Sequence, residues 1–212
     1  WFDLSRKIKL YRDYWSRHWQ SLYNIPQQDT AENQAAVSGG GLDFEASESD
    51  HYDLQSTITI GVNGGFCMAV VVKLETLSGT LLGKDNFDQF RFTSATGFRF
   101  RSDTTDTTTD FVFPSGTFTT TKTLFLLNRT AGATNKFTFM KNGTTLTADV
   151  DTSTNEAAGE NPHGFDLNVL GAKSGTSQFF DGKILELAFW DRALTLQEIT
   201  DVNSYLQSIH GL

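Results

Sequence analysis

The stretch Asn168 to Leu212 reads NVLGAKSGTSQFFDGKILELAFWDRALTLQEITDVNSYLQSIHGL, and its reading decides the fold. An apolar strand at Asn168 to Leu170 runs into a Gly/Ser/Thr turn. Phe179-Phe180-Asp181-Gly182 then leads into an alternating strand at Lys183 to Trp190. The link Asp191-Arg192-Ala193-Leu194 opens a closing helix. Thr195 and Glu198 have the spacing of a capping box, in which the Thr side chain takes the N3 amide and the Glu reaches back. Leu196, Ile199, Val202, Leu206 and Ile209 fall on one helical face, and Gly211 ends the helix. The pattern predicts a helix packed on a sheet.

Upstream, short strand candidates between residues 42 and 190 are separated by turn-rich stretches every ten to fifteen residues, the spacing of a sandwich or barrel. Phe, with 18 copies, and abundant Thr suit pleated, half-buried surfaces. Phe66 to Leu74 is almost continuously apolar and predicts a central strand covered on both faces. In Phe87 to Phe92 and Phe98 to Arg101 the period is two. Phe90, Phe92, Phe98 and Phe100 are expected inward, and Arg91, Arg99 and Arg101 outward. Asp103 to Asp110 reads as an exposed polar loop. Thr123 to Asn128 and Lys136 to Met140 are further strands. The second enters Asn142-Gly143, a type I′ hairpin signal, from which Thr144 to Val150 returns. Asp151 to Gly164 reads as a long irregular loop, and Phe165 to Leu170 re-enters the sheet.

The chain has 212 residues, is 38% hydrophobic, and carries no apolar run near the ~18 residues of a membrane helix. Trp1 rather than Met at the start marks a processed chain or a part of a longer one. The single cysteine, Cys67, sits among apolar residues and reads as a buried small side chain; it excludes an internal disulfide and a cysteine-ligated metal cluster. The net charge of −8 is uneven. Residues 1–25 hold five basic and two acidic side chains, net +3, and the remainder twelve basic and twenty-three acidic, net −11. The acidic body argues against a nucleic-acid partner.

Three phrases carry a family resemblance: the closing strand and helix, Leu42-Asp43-Phe44 followed by Tyr52-Asp53-Leu54, and Leu77-Ser78-Gly79-Thr80-Leu81-Leu82-Gly83-Lys84. Together they resemble the laminin-G-like and pentraxin-like domains among the concanavalin A-like jelly rolls. The resemblance implies an all-β fold, a two-sheet antiparallel jelly-roll sandwich with a C-terminal helix, over residues 35–212. Residues 1–34 form a separate N-terminal aromatic and basic arm or helix. In it Leu4, Ile8, Tyr11, Trp15, Trp19 and Leu22 recur at helical spacing until Pro26. Such an amphipathic arm docks on its own domain, on another subunit, or on a membrane surface. Tyr11, Arg12, Trp15, Arg17 and Trp19 are the expected docking residues, because Trp, Tyr and Arg favour interface cores.

The glycosidases of this superfamily place carboxylates as E-x-D-x-x-E on one strand, and no such run occurs here; Lys183 to Trp190 offers Glu186 alone. The histidines His18, His51, His163 and His210 lie apart, and no G-x-S-x-G is present. Pentraxin-like calcium sites pair an Asp-Asn with a later acidic loop. Asp85-Asn86 matches the first half, while Ala172-Lys173-Ser174-Gly175-Thr176 replaces the second, so of the pentraxin-like set Asp85 and Asn86 remain for calcium. Asp50, Asp53, Asp103, Asp106 and Asp110 could supply another calcium site, though loop acids are usually just solvated, and no other cofactor is implied. An exposed aromatic platform for a glycan would draw on Tyr52, Phe87 or Phe179. The expectation is a non-catalytic binding or structural module, in the style of bacteriophage virion proteins, as capsid decoration or tail fibre. Its partners would be protein subunits of a larger assembly and its place a virion or the extracellular space. The alternatives are a carbohydrate-binding module for cell-surface glycans and a divergent glycosidase.

Overall fold

The computed structural model describes residues 8–11, 33–84, 88–102, 108–132, 137–151 and 164–212. In chain order the strands are β1 (Ile8–Tyr11), β2 (Ala36–Ser38), β3 (Gly41–Phe44), β4 (Tyr52–Ile60), β5 (Phe66–Leu74), β6 (Gly79–Gly83), β7 (Gln89–Phe92), β8 (Gly97–Arg101), β9 (Thr108–Val112), β10 (Thr123–Arg129), β11 (Phe137–Lys141), β12 (Thr144–Leu146), β13 (Val150–Asp151), β14 (Phe165–Leu170) and β15 (Gly182–Trp190). Helix α1 (Leu196–His210) follows. One sheet of eight strands runs β12-β11-β10-β5-β15-β3-β2, with β1 added on β15. The other, of seven strands, runs β13-β9-β8-β7-β6-β14-β4. Apart from β1, the pairings are antiparallel, as expected of the jelly roll.

Strand β5 lies in the middle of its sheet, and its alternation divides two cores. Phe66, Met68, Val70, Val72 and Leu74 face the interior between the sheets. Cys67, Ala69 and Val71 face outward, where Leu194, Ile199, Val202 and Leu206 cover them together with Ala188 and Trp190 of β15. Small side chains at Cys67, Ala69 and Ala188 let the helix approach the sheet closely. Each fully buried Val, Leu or Ile contributes about 1.5–3 kcal/mol. The interior is filled by phenylalanine. Phe66 lies 5.2–5.8 Å from Phe90, Phe100, Phe165 and Phe189, centroid to centroid. Such pairs add about 0.5–1.5 kcal/mol beyond area.

The closing phrase has a local physical basis. The capping box forms: the Glu198 amide donates to Thr195 Oγ1 at 3.3 Å, and the Thr195 amide donates to Glu198 Oε2 at 2.8 Å. Arg192 forks onto the same carboxylate at 2.9 and 2.8 Å. The Leu194 amide donates to Asn128 Oδ1 at 2.8 Å, tying the helix entry to β10. Gly182, at φ 134°, opens β15 where a Cβ would stand 2.5 Å from the Lys73 carbonyl oxygen, so no larger residue fits. At the Asn142-Gly143 turn both residues have positive φ, 46° and 78°, as the type I′ reading requires.

Several expectations need correction. Residues Ile8–Tyr11, expected on a helix, form a strand parallel to Leu187–Trp190. Strand β3 pairs with β15 only at Gly182 to Ile184. The remaining edge of β15 would leave its backbone groups without partners, and a strand meets that need where a helix cannot. The polar stretch ending at Asp110 gives way to β9 from Thr108, because Arg99 draws Asp110 into the sheet. Leu196 and Ile209 are exposed, and Glu198 and Asn203 take the buried positions beside Ile199, Val202 and Leu206. The return strand after Asn142-Gly143 ends at Leu146, and Val150 joins the other sheet against Val112. Residues 1–7, 12–32 and 152–163, most of the arm and of the 151–164 loop, lie outside the described residues.

Candidate functional site

Among the described residues α1 packs on the outer face of the eight-stranded sheet over β5, β10 and β15, which directs attention to the outer face of the seven-stranded sheet. Its chemistry follows from the alternation in β7 and β8. Phe90, Phe92, Phe98 and Phe100 go into the core, as expected, which sends Gln89, Arg91, Arg99 and Arg101 outward. The register places Thr80, Arg91, Arg99 and Asp110 in one row across four strands, with Gln89 opposite Arg101 in the next outward row. Directly opposite residues share a face, with Cβ atoms about 4.5–5.5 Å apart.

Within the row the charges are unequally matched. Asp110 accepts from Arg99 at both ends, 2.7 Å from Nε and 3.0 Å from Nη2, and this pairing holds the Arg99 pKa above its ordinary value. Arg91 is half-buried. Burial, and after it the nearby Arg99 charge, pull its pKa below the usual arginine value. Arg91 Nε, Thr80 Oγ1, Gln89 Oε1 and Asn168 Oδ1 are buried atoms that make no hydrogen bond within the protein. Thr80 is 0% and Gln89 2% exposed. Polar atoms in such positions normally have a partner. At one end of the sheet, Asp166 joins Lys84 at 2.7 Å and Thr59 at 2.7 Å, and the Lys84 hydrogen bond holds its carboxyl below the ordinary range.

The residues singled out in the sequence are scattered. Tyr52 is buried, 3% exposed, with its hydroxyl donating to the Ala35 carbonyl at 2.9 Å; it is a core residue and presents no platform. Its position in β4 opposite Leu170 of β14 turns the ring inward against Phe44. Phe179 is half-buried beside the His51 ring, centroids 6.0 Å apart. Phe87, Asp85 and Asn86 lie outside the described residues, as do Arg12, Trp15, Arg17 and Trp19. Tyr11 is the end of β1, and its backbone pairs with Trp190 of the same chain. Glu186 is buried near the end of α1, 3.5 Å from His210 Nε2, on the face opposite the arginines. Asp50 is buried with Oδ2 accepting the Glu45 amide at 2.8 Å; desolvation raises its pKa. Among the described residues no three His, Cys, Asp or Glu side chains converge on a common point. The site reading overlooked Thr80, Gln89 and Arg91. The available signal was the alternation itself, which puts three of eight arginines on one face of an acidic chain.

A family model described as the concanavalin A-like lectin/glucanases superfamily, laminin-G type, matches residues 45–200. No curated protein matches the chain. Among solved structures the fold is similar to the binding domain of Paraclostridial mosquitocidal protein 1, at TM-score 0.57 and 13% identity, covering 86% of this chain and 48% of that one. It is similar to a Trypanosoma rangeli sialidase, at TM-score 0.51 and 14% identity, covering 82% and 29%. The binding domain of botulinum neurotoxin serotype G follows at TM-score 0.50 and 8% identity, covering 74% and 40%. The chain therefore spans less than half the length of each of these three. At such identities the likeness is one of fold.

Proposed function

This chain belongs to the concanavalin A-like lectin/glucanases superfamily, and we propose that it works there as a non-catalytic, lectin-like module that binds glycans at an extracellular surface. The observation that carries this reading is the outer face of the seven-stranded sheet, where Thr80, Gln89, Arg91 and Asn168 offer buried polar atoms with no partner in the protein. Sugar hydroxyls are donors and acceptors at once and match such a mixed set. The alternation of β7 and β8 holds these groups on rigid strands, so that little ordering entropy is lost on binding. Two of the similar structures are binding domains of their own proteins, which supports a recognition role.

A glycosidase needs two carboxyl groups at defined separation, one of them protonated. On this face Asp110 is held by Arg99 and Asp166 by Lys84, both in charge-assisted pairs, and the Lys84 hydrogen bond holds the Asp166 carboxyl below the ordinary range, the wrong direction for a general acid. The test is a glycan array probed with the native chain and with Gln89→Ala. Binding to a defined glycan group that Gln89→Ala weakens at least about tenfold supports the reading. An array without hits, or hits indifferent to this face, removes it. Release of reducing sugar from a bound glycan would overturn the non-catalytic part.

A second reading, a part of a larger assembly such as a virion protein docked through residues 1–34, rests on β1. A four-residue strand added to the edge of β15 can be donated to a neighbouring copy by the same backbone pairing. Removing residues 1–34 dissociates an oligomer on this reading; a chain whose mass in solution is that of one copy before and after removal speaks against it.

A further inference from the structure

We propose, building on the glycan-binding reading above, that the ligand is an acidic sugar whose carboxylate or sulfate sits on the guanidinium of Arg91, with Thr80 and Gln89 beside it on the outer face of the seven-stranded sheet. Arg91 and Arg99 stand directly opposite each other on β7 and β8, yet only Arg99 has a carboxylate. Among the described residues no acid pairs with Arg91. The chain has 25 acidic residues against 17 basic ones, so the missing partner does not reflect a shortage of acids. Desolvating a guanidinium without a counter-charge is costly, and the arrangement is relieved when an anion arrives from outside. The planar fork of arginine matches a carboxylate or sulfate in two hydrogen bonds.

The neighbours strengthen the assignment. Thr80 faces Arg91 in the register, fully buried, with an Oγ1 that has no partner. Gln89 shares the face two residues away, about 7 Å along the strand, and is 2% exposed with Oε1 unpaired. A hydroxyl and an amide flanking one cation suit an acid group carried on a ring of hydroxyls. Asp110 and Asp166 bound the face, and the body of the chain is acidic, so a single anionic group on an otherwise neutral ligand is favoured over a polyanion.

The experiment is calorimetric titration of the native chain with sialyllactose, a glucuronic acid disaccharide and lactose 6-sulfate, with lactose as the neutral control, at low and high salt. The expected result is at least one acidic sugar bound ten times or more tighter than lactose, with the preference reduced several-fold by salt. The three acidic probes separate carboxylate from sulfate as the source. Arg91→Gln abolishes the preference for the acidic sugar and does not lower the melting temperature, since the substitution removes like-charge repulsion. Thr80→Val, of the same shape, also weakens the acidic sugar. Acidic and neutral sugars bound equally, or a preference unaffected by both variants, overturns this inference and leaves the glycan-binding reading standing. Failure of the native chain to bind any of the four overturns both.

Discussion

Glu198→Gln is the substitution that most directly tests how the closing helix is held. The Glu198 carboxylate takes two bonds from Arg192, one from the Thr195 amide and one from its hydroxyl. Chiefly through Arg192 its pKa is held at about 2 instead of 4.5. One pKa unit corresponds to about 1.4 kcal/mol, so the ceiling of the stabilisation is about 3.5 kcal/mol. The Arg192 side chain is 34% exposed, and solvent screening brings the expected value to about 1.5–2 kcal/mol. The sign follows from the direction of the shift. A carboxyl whose folded pKa lies below its unfolded value stabilises fully above the unfolded value and loses that contribution as pH falls through the folded one.

Glutamine at N3 still serves a capping box, so the substitution removes charge while keeping shape. In urea denaturation at pH 7 the variant is expected to be about 1.5–2 kcal/mol less stable, roughly 3–8 °C in melting temperature for a chain of this size. The gap should narrow between pH 5 and pH 2 and close near pH 2. Asp50, whose pKa burial raises, titrates in both proteins and cancels in the difference. Equal stability at pH 7, or a gap that stays constant down to pH 2, would refute the reasoning.

Two further substitutions probe the frame around the site. Phe66→Ala empties the point where Phe90, Phe100, Phe165 and Phe189 meet beneath the Arg129 guanidinium, 5.0 Å above the ring, and is expected to cost about 3–5 kcal/mol by urea unfolding. A loss below about 1.5 kcal/mol would mean that the core collapses around the gap. Gly182→Ala forces a Cβ onto the Lys73 carbonyl at φ 134° and should cost about 1–3 kcal/mol; an unchanged unfolding midpoint would show that the β5–β15 crossing is looser than its geometry requires.

Much of the frame is legible from period and punctuation. Phe66 to Leu74 has no polar face and therefore declares a central strand; Thr195 and Glu198 declare a helix start; Asn142-Gly143 declares a hairpin. These are local statements, and neighbours a few residues away decide them. Tyr52 and Ile8–Tyr11 are instructive failures. An aromatic with a hydroxyl reads equally well as a platform or as a core residue, and the Ala35 carbonyl that receives its hydroxyl is 17 residues away. In the arm, helical spacing of Leu4, Ile8 and Tyr11 is outweighed at Ile8–Tyr11 by an edge of β15 that lies some 180 residues later.

The sequence alone determined the class of fold, the inward Phe and outward Arg of β7 and β8, and the capping box that starts α1, because each depends on the repeat of the chain's own backbone. Only the tertiary structure decided which arginine has a counter-charge. Arg91 and Arg99 are indistinguishable in alternation, but strand pairing brings Asp110 to one and Thr80 to the other. A charge partner is chosen by register between strands, and register is a property of the packed sandwich.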